Sequence, residues 1–373
     1  TWLRMGADSV SAARVLHFIP SFGPGGAERQ LALMAAELAR MGVEVHVAFV
    51  AGGPNLGRLE NASVRLHVLD AAGNHDPMLA WRIFGLVRDV RPDVIQTWLT
   101  QMDILAGAAA ILCRVPLIVS ERCNAPAYPR GWKTRLRRMI GLRADRVIAN
   151  SRAGLDYWRP DVPEERLALI RNCVSPPGSA EGASPDTLVA RTEGRPLVMF
   201  AGRLAAQKNV PTLVEALTTV ARRHPQAVMV LFGEGPDRDD IARSIGEAGM
   251  ADRILLAGFS SCLPAWMERA AAFVSVSLFE GHPNVVIEAA SVGCPLVISD
   301  IPPHRELFDE DSAVFVPVDA PTVIADAVLD VLAHPDRARE RASRACAITA
   351  HWTLTAAATA YRSIYESLMT RDA

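Results

Sequence analysis

Short apolar runs alternate with amphipathic segments along almost the whole chain. The apolar runs of the first half predict strands at residues 14–22, 43–50, 64–69, 94–98, 116–120, 146–150 and 167–171. Those of the second half predict strands at residues 196–201, 227–232, 254–256, 272–277, 296–299 and 313–316. The segments between them have helical spacing, and residues 353–369 predict a last amphipathic helix. Strands that alternate with helices in this way predict an α/β fold with parallel sheets covered on both faces.

The composition changes at residues 175–185, which are rich in Pro, Gly, Ser and Ala. Such a stretch is typical of an exposed linker between domains. We therefore predict an N-terminal domain over residues 1–178, a C-terminal domain over residues 179–352 and a terminal helical segment over residues 353–373. Residues 1–13 are expected to form a loose leader.

Composition and charge exclude several classes of protein. The 373 residues suffice for about two domains with separate cores. The net charge of −2 excludes the charge bias of a nucleic-acid-binding protein. The longest apolar runs, such as residues 104–113, are too short to span a bilayer, and the start lacks a signal-type segment. The six cysteines show no Cys-x-x-Cys spacing, which favours reduced, buried thiols in a cytoplasmic protein.

Two carboxylates flank a predicted helix start in the second half of the chain. Glu280 lies in the loop after the strand at 272–277, and Glu288 lies on the helix predicted over residues 284–292. The helix N-terminus at Asn284 offers N–H groups and a partial positive charge, which favours a diphosphate there. Glu288 would then accept hydrogen bonds from sugar hydroxyls. The alternative is that Glu280 stabilises the helix start and that Glu288 is a solvated helix residue.

Two cations follow the strand at 196–201, at the edge of the sheet where ligands bind in open α/β folds. Arg203 and Lys208 suit a diphosphate, the former by its planar fork and the latter as a point charge. The alternative is that both only keep the surface soluble. A third loop on this edge, residues 232–236, contains two glycines that would allow close approach to a ligand.

Four motifs occur in order along the chain, and together they resemble the signature of the retaining glycosyltransferases of family 4 (GT4). They are Gly25-Gly26-Ala27-Glu28, Gly202-Arg203-Leu204 with Lys208, Gly233-Glu234-Gly235-Pro236, and the glutamates Glu280 and Glu288. The resemblance covers nearly the whole chain. It implies the GT-B fold, in which two Rossmann-like, doubly wound domains face a cleft and the final helix crosses back to the first domain.

The resemblance also implies roles for individual residues. Those matching Arg203 and Lys208 hold the donor diphosphate, the one matching Glu288 binds the nucleotide ribose, and the one matching Glu280 lies near the transferred sugar. We expect Arg203, Lys208 and Glu280 to be catalytic. The expected donor-binding residues are Gly25, Gly26, Arg203, Lys208, Glu234, Gly235, Phe259, Glu280, Gly281, Asn284, Val285 and Glu288. No cofactor and no metal are expected, because the Asp-x-Asp triplets at 237–239 and 309–311 are explained by helix capping and a turn.

The chain departs from the family pattern after the strand at 116–120. Many family members carry a histidine there, whereas this chain has Glu121-Arg122-Cys123-Asn124, which resembles a subgroup acting on lipid-linked sugars. Arg122 would face the acceptor or the donor sugar. The basic segment 128–146 predicts a helix with an apolar face formed by Trp132, Leu136, Met139 and Ile140 and with arginines on its flanks. Such a helix is typical of a membrane surface or an anionic partner, unless it is an ordinary packed helix. The expected acceptor or membrane contacts are Arg122, Lys133, Arg137 and Arg138.

The function that this reasoning favours is retaining transfer of a hexose or N-acetylhexosamine. The donor is a nucleotide-diphosphate sugar, with a UDP-sugar favoured and GDP-mannose next. The acceptor is a glycan or a polyprenyl-diphosphate-linked sugar in cell-surface polysaccharide or glycolipid synthesis, at the inner face of the cytoplasmic membrane. A sugar-nucleotide epimerase, a retaining glycosidase and a non-catalytic sugar-binding module are the alternatives. An NAD enzyme is disfavoured, since residues 23–26 lack the G-x-G-x-x-G pattern.

Overall fold

The computed structural model describes residues 13–71, 76–123, 128–174, 186–260 and 262–370. The chain divides into two compact units, unit 1 formed by Thr1–Asn172 with Leu354–Ala373 and unit 2 formed by Cys173–Thr353. Most of the predicted leader, the whole predicted linker at 175–185 and Asn124 lie outside the described residues.

Unit 1 contains a parallel sheet of seven strands in the order β3-β2-β1-β4-β5-β6-β7. The strands are β1 (Arg14–Ser21), β2 (Glu44–Ala51), β3 (Val64–Val68), β4 (Val94–Trp98), β5 (Leu117–Glu121), β6 (Arg146–Ala149) and β7 (Leu167–Leu169). The helices are α1 (Gly26–Arg40), α2 (Met78–Val90), α3 (Leu99–Cys113), α4 (Trp132–Gly141) and α5 (Arg152–Trp158). Every residue of β4 and β5 is buried, including the polar side chains of Gln96, Thr97, Ser120 and Glu121 toward their carboxyl ends.

Unit 2 contains a parallel sheet of six strands in the order β10-β9-β8-β11-β12-β13. The strands are β8 (Leu197–Ala201), β9 (Val228–Phe232), β10 (Ile254–Gly258), β11 (Ala272–Ser275), β12 (Leu296–Ser299) and β13 (Val314–Val316). The helices are α6 (Asp186–Thr192), α7 (Val210–Arg223), α8 (Arg238–Glu247), α9 (Leu263–Arg269), α10 (Asn284–Ser291), α11 (Pro302–Arg305), α12 (Pro321–Ala333) and α13 (Pro335–Thr349). Two apolar clusters, one on each face of the sheet, form its core.

The last helix, α14 (Leu354–Met369), belongs to unit 1. Its apolar stripe packs Tyr361 and Tyr365 inward, both less than 3% exposed. The hydroxyl of Tyr365 donates to Oε1 of Gln96 on β4 at 2.6 Å. The side chain of Thr355 donates to Glu37 on α1 at 2.7 Å. Polar contacts at both ends therefore fix the helix on unit 1.

The predicted fold class is confirmed, because all thirteen predicted strands form parallel sheets with ends within two residues of the predicted ones. In each sheet the strand order reverses once, between β1 and β4 in unit 1 and between β8 and β11 in unit 2. Ligands of open α/β sheets bind beyond the carboxyl ends of the strands at such reversals. None of the helices in the described part of the chain combines the length and the apolar character needed to cross a membrane.

Candidate functional site

The loop after β8 is hydrogen-bonded to the backbone of the loop after β9 and packs closely against its two glycines. Gly202 N donates to Phe232 O and Leu204 N donates to Glu234 O, each at 3.0 Å. A Cβ on Gly233 would lie 1.9 Å from the carbonyl oxygen of Gly202, and one on Gly235 would lie 2.1 Å from that of Leu204. These glycines therefore allow the backbone of the loop after β8 to approach closely. Their predicted approach to a ligand stays a prediction.

Lys208 and Glu280 meet where the strand order of unit 2 reverses. Lys208 ends a short 3-10 helix after β8, and its Nζ donates to Oε1 of Glu280 at 2.5 Å. The side chains are 14% and 7% exposed. Gln207 ties the same two loops together, since its carbonyl accepts from Leu278 N and its side chain donates to Phe279 O, each at 2.9 Å. The loops after β8 and β11 are thus joined around a largely buried ion pair.

Three further predicted donor-site residues are exposed and follow the neighbouring strands. Arg203 follows β8, Glu234 follows β9 and Phe259 directly follows β10. The ring of Phe259 is 66% exposed, which is unusual for a phenylalanine beside a packed sheet. Glu234 forms an exposed ion pair with Arg238 on α8 at 3.2 Å. The edge of the sheet thus presents a cation, a carboxylate and an aromatic ring to solvent.

Glu288 lies inside unit 2 on α10 and is 6% exposed. The alternative that it is a solvated helix residue is therefore wrong. The predicted anion site at the start of α10 is less open than the sequence suggested. Asn284 N already donates to His282 O at 2.9 Å, and Val286 N donates to Pro283 O at 3.0 Å. Gly281 and Val285 lie beside these groups and are half-buried.

The two aspartate triplets lie at a helix start and in a turn, although the side chain of Asp237 accepts no capping hydrogen bond from the start of α8. Asp237 immediately precedes α8, and Asp309 accepts a hydrogen bond from Oγ of Ser312 at 2.7 Å. That contact lowers the pKa of Asp309 below its usual range. Within the described ranges, no group of three or more His, Cys, Asp or Glu side chains is arranged to hold a metal ion.

The glycine loop of unit 1 lies at the other strand reversal. Gly25 is the N-cap of α1, and Gly26 is its first residue. The carboxylate of Glu28 folds back over Gly25, where an added Cβ would lie 2.2 Å from Oε2. Burial raises the pKa of Glu28 above its usual range. An anion at this helix start would therefore meet a carboxylate that already lies near the N–H groups.

Arg122 is part of a buried polar network beneath α14. Its guanidinium donates to Tyr361 Oη at 2.5 Å and to Asn172 Oδ1 at 3.1 Å. The guanidinium carbon lies 4.1 Å from the ring centroid of Trp98, a cation–π contact. The cation that the sequence assigned to an acceptor or a donor sugar thus holds the last helix to the sheet of unit 1.

Arg137 requires a correction, because it is not a surface cation. It is 1% exposed. Its guanidinium donates to Asp103 at 2.7 Å and to Glu121 at 3.0 Å. Glu121 also accepts from Trp158 Nε1 at 2.9 Å and from Tyr128 Oη at 2.5 Å. Burial raises the pKa of Asp103, and the nearby guanidinium opposes this. Arg137 therefore cannot contact a membrane or an acceptor, since two buried carboxylates hold it in the core.

The outer face of α4 is also different from the predicted one. Trp132 and Met139, expected on the packed face, are 70% and 63% exposed. Lys133 is exposed, and its ammonium lies 5.7 Å from the ring centroid of Trp132. Arg138 is only partly exposed and is paired with Asp161. Because buried Arg137 turns the helix, α4 presents apolar and cationic side chains together to solvent.

Two family models match the chain one after the other. The model described as "Glycosyltransferase Family 4" matches residues 24–176, and the model described as "Glycosyl transferases group 1" matches residues 189–346. The chain belongs to glycosyltransferase family 4. The resemblance inferred from the four motifs is therefore confirmed, and with it the assignment of this glycosyltransferase to the GT-B fold.

Curated relatives of this glycosyltransferase act on several sugars. One is the N-acetylgalactosamine-N,N'-diacetylbacillosaminyl-diphospho-undecaprenol 4-alpha-N-acetylgalactosaminyltransferase of Campylobacter jejuni, 26% identical over 81% of this chain and 85% of that protein. Another is the alpha-D-kanosaminyltransferase of Streptomyces kanamyceticus, 30% identical over 62% of this chain. That match spans only 57% of the length of the kanosaminyltransferase.

Solved structures share the fold. Anabaena HepE in complex with UDP and glucose superimposes with a TM-score of 0.83 over 95% of this chain and 100% of that chain, at 19% identity. WaaG, a glycosyltransferase involved in lipopolysaccharide biosynthesis, gives a TM-score of 0.73 over 94% of this chain and 99% of that chain, at 13% identity. At these identities the similarity shows the fold alone.

Sequence reasoning missed several buried polar residues. Asp103 lies in the apolar helix α3, and a single charge among apolar neighbours was the one sequence signal that it is buried. Glu121 was noted for its position in the chain without its buried partners. His304 follows β12 and is 0% exposed, but nothing in the sequence distinguished it from the other histidines. Their partners come from distant parts of the chain, which explains why local patterns did not reveal them.

Proposed function

We propose that this glycosyltransferase transfers a hexose or an N-acetylhexosamine from a nucleotide-diphosphate sugar with retention of anomeric configuration. A UDP-sugar is the favoured donor, and GDP-mannose is next. The acceptor is a glycan or a polyprenyl-diphosphate-linked sugar in cell-surface polysaccharide or glycolipid synthesis. Family membership and the activities for which the relatives are named support this class of reaction.

The observation that carries the proposal is the joined pair of loops after β8 and β11. Arg203 is exposed on the first loop, and Lys208 is fixed on the same loop by Glu280. A departing nucleoside diphosphate gains negative charge, and fixed cations at a strand reversal stabilise that charge without reorganising. A glycosidase has no diphosphate leaving group, so its mechanism would not require these cations.

The bonds, the electron pair and the proton of the reaction are all accounted for by groups of the donor and the acceptor. The bond between the anomeric carbon and the diphosphate oxygen breaks, and the electron pair leaves with the nucleoside diphosphate. The acceptor hydroxyl forms the new bond on the same face, and its proton passes to a diphosphate oxygen. Arg203 and Lys208 stabilise the leaving group, and Glu280 holds Lys208 in place beside the sugar. No nucleophilic carboxylate is assigned.

The remaining donor contacts follow from the same arrangement. Glu288 would accept hydrogen bonds from the ribose hydroxyls, because a buried carboxylate is favourable when such donors are supplied. Phe259, with its exposed ring, would stack on the nucleobase, and Glu234 with Gly235 would line that side. Asn284, Val285 and Gly281 would lie along the diphosphate, although the N–H groups of Asn284 and Val286 must first exchange their present partners.

The proposed acceptor is lipid-linked, and the protein would work at the inner face of the cytoplasmic membrane. The Campylobacter relative is named for a diphospho-undecaprenol acceptor, and a mannosyltransferase of Xanthomonas oryzae, 31% identical over 59% of this chain, is named for a diphosphopolyprenol acceptor. The exposed Trp132, Lys133 and Met139 on α4 suit an anionic interface, where an aromatic ring, a cation and an apolar side chain each find favourable surroundings.

A binding panel tests the proposal. Isothermal calorimetry with UDP, GDP and ADP identifies the base, and the corresponding sugars are then assayed for transfer to a polyprenyl-diphosphate-linked acceptor. We expect one nucleoside diphosphate to bind wild type and to bind more weakly to Arg203→Ala. Arg243→Ala serves as a control, since this exposed arginine pairs with its helix neighbour Asp240 at 2.9 Å, on α8. Product formed without an acceptor would indicate an epimerase, and binding without turnover would indicate a sugar-binding module.

A further inference from the structure

His304 is a fully buried histidine beside the donor site. It lies on α11, which follows β12 directly, and it is 0% exposed. Its Nδ1 lies 2.8 Å from the carbonyl oxygen of Ser299. Because a carbonyl oxygen only accepts, Nδ1 carries the proton and the ring is fixed in one tautomer. Burial lowers the pKa of His304, so the ring is neutral at physiological pH.

A chain of hydrogen bonds leads from this ring to the loop that carries Glu280. Oγ of Ser299 donates to the carbonyl oxygen of Ser277 at 2.8 Å, and the same Oγ lies 3.3 Å from Nδ1 of His304. Ser277 directly precedes the loop in which Leu278 binds Gln207 and Glu280 binds Lys208. Both serines are buried. The ring is therefore connected to the loop of Glu280 through Ser299 and the backbone of Ser277.

The electrostatic surroundings of the ring agree with this position. Burial has the largest effect on the pKa of His304 and lowers it, whereas the hydrogen bond to Ser299 and the charge of Glu280 raise it and the charge of Lys208 lowers it. The two charges of the ion pair thus act on the ring in opposite directions. An apolar residue would fill the same volume without the proton that Ser299 accepts, so packing alone gives no reason for an imidazole here.

We propose that His304 is a positioning residue of the donor site, which fixes Ser299 and Ser277 and thereby holds the loop of Glu280 against Lys208. The inference rests on the proposed role of that ion pair in transfer. His304 does not touch the donor, since its ring is covered on all sides. Its effect is on geometry, and a small displacement of reacting groups lowers turnover steeply.

Three substitutions distinguish the contributions of the two ring nitrogens of His304. His304→Asn keeps an N–H donor near the place of Nδ1, His304→Gln moves it toward the place of Nε2, and His304→Leu removes it. We measure kcat, the KM for the donor, nucleoside diphosphate affinity and Tm. The control is His334→Leu, which changes an exposed histidine of unit 2.

We expect His304→Leu and His304→Gln to lower kcat by about tenfold to a hundredfold, with a much smaller change in KM, and we expect His304→Asn to restore most of the turnover. A merely structural histidine would give lower Tm with wild-type kcat in the folded fraction, and that result would overturn the inference. Equal loss of kcat in the Asn and Leu variants would overturn it as well.

Ser299→Ala provides a second test if the leucine variant does not fold. It removes the bond to Ser277, and we expect a loss of kcat that does not add to that of His304→Gln, because both act through one contact. Additive losses would contradict the inference. Failure of wild type to bind a nucleoside diphosphate or to transfer sugar would overturn the proposed function together with this inference, whereas an active wild type with insensitive variants overturns the inference alone.

Discussion

Arg203 and Lys208 follow the same strand, but their surroundings give substitutions there different consequences. Arg203 is exposed, whereas Lys208 is held by Glu280 in a largely buried pair. A buried carboxylate that loses its cation is left uncompensated, which costs stability as well as function. Substitution of Lys208 should therefore lower both turnover and stability, whereas substitution of Arg203 should lower turnover alone. Their proposed roles in stabilising the leaving group are alike.

We predict that Arg203→Ala and Lys208→Ala each lower kcat by about a hundredfold or more, because each removes a fixed charge from the leaving group. Only Lys208→Ala should also lower Tm. Steady-state kinetics and thermal unfolding measure both quantities on the same samples. Wild-type turnover in either variant would contradict the proposed diphosphate site, and unchanged Tm in Lys208→Ala would contradict the structural part of the argument.

The buried cluster of Arg137 with Asp103 and Glu121 concentrates three charges in the core of unit 1. We predict that Arg137→Met lowers the free energy of unfolding by about 3–5 kcal/mol, since it leaves two buried carboxylates without their cation. Arg138→Met, one residue along α4, should cost less than about 1 kcal/mol because its ion pair with Asp161 is partly exposed. Urea unfolding followed by circular dichroism compares them. Similar losses in both variants would show that the cluster is not the main stabilising contact.

At the scale of elements, α4 shows how a buried charge decides which helical face is exposed. Its outward side chains include Trp132, Lys133 and Met139, a combination that favours an anionic membrane. We predict that the variant Trp132→Ser, Lys133→Gln, Met139→Ser floats less with vesicles containing anionic lipid than wild type does. Neutral vesicles should show a smaller difference.

Activity on two acceptors completes that test. Because the substituted side chains are exposed, the variant should keep its Tm and its turnover with a water-soluble acceptor, and it should lose turnover with a lipid-linked one. A matched control is Trp81→Ser on α2, where the side chain is also 70% exposed but Arg82 is paired with Asp76 at 3.4 Å and Arg88 is followed by Asp89. Flotation that is the same for wild type and the α4 variant would exclude this surface as the membrane contact.

The contact between β1 and β4 makes the stability of unit 1 depend on pH. Nε1 of Trp98 donates to Nδ1 of His17 at 3.2 Å, which requires a neutral ring. Burial, with a smaller effect of Arg122, lowers the pKa of His17 from 6.5 to about 3. The unfolded chain therefore binds a proton before the folded one does, and stability falls as pH decreases from about 6.5 toward about 3.

We predict that wild type loses up to about 1.4 kcal/mol of stability per pH unit through this residue across that range. His17→Leu removes the titrating group, so its stability should be lower at pH 7 and should change less between pH 6.5 and 4.5. Urea unfolding at several pH values measures both slopes, with His334→Leu as the control for an exposed histidine. Equal slopes in wild type and His17→Leu would refute the assignment.

At the scale of the whole molecule, the two units differ in how the chain forms them. Unit 2 is one continuous stretch, whereas unit 1 needs the returning helix α14. Tyr361 and Tyr365 bury their rings against unit 1. Tyr361 binds Arg122, which follows β5, and Tyr365 binds Gln96 on β4. We predict that a chain ending at Thr353 keeps unit 2 folded and destabilises unit 1.

Limited proteolysis with mass spectrometry measures this difference. Proteases cleave unit 1 when it is unfolded, whereas the folded unit 2 resists cleavage. The control is Tyr365→Phe in the full chain, which removes one hydrogen bond and should cost about 1–2 kcal/mol without exposing unit 1. Equal protection of both units in the truncated chain would mean that α14 contributes little to unit 1.

The sequence by itself determined the secondary structure, the fold class and the family. Buried strands such as β8 and β9 are apolar throughout. The glycine loops and the cations of the family motifs occur in a fixed order, so both features are visible in local patterns. The same logic placed Lys208 and Glu280 at one edge of a sheet, because the carboxyl ends of parallel strands lie together. These features depend on short stretches of chain.

Only the tertiary structure decided which polar groups are buried and which glycines face protein. Arg137 looked like one of several surface cations, but its partners Asp103 and Glu121 lie 34 and 16 residues away in the chain. Likewise, Gly233 and Gly235 face the loop after β8, a contact between two separate βα units. The physical reason is that desolvation and pairing energies depend on distances between remote segments, which helical or strand periodicity does not contain.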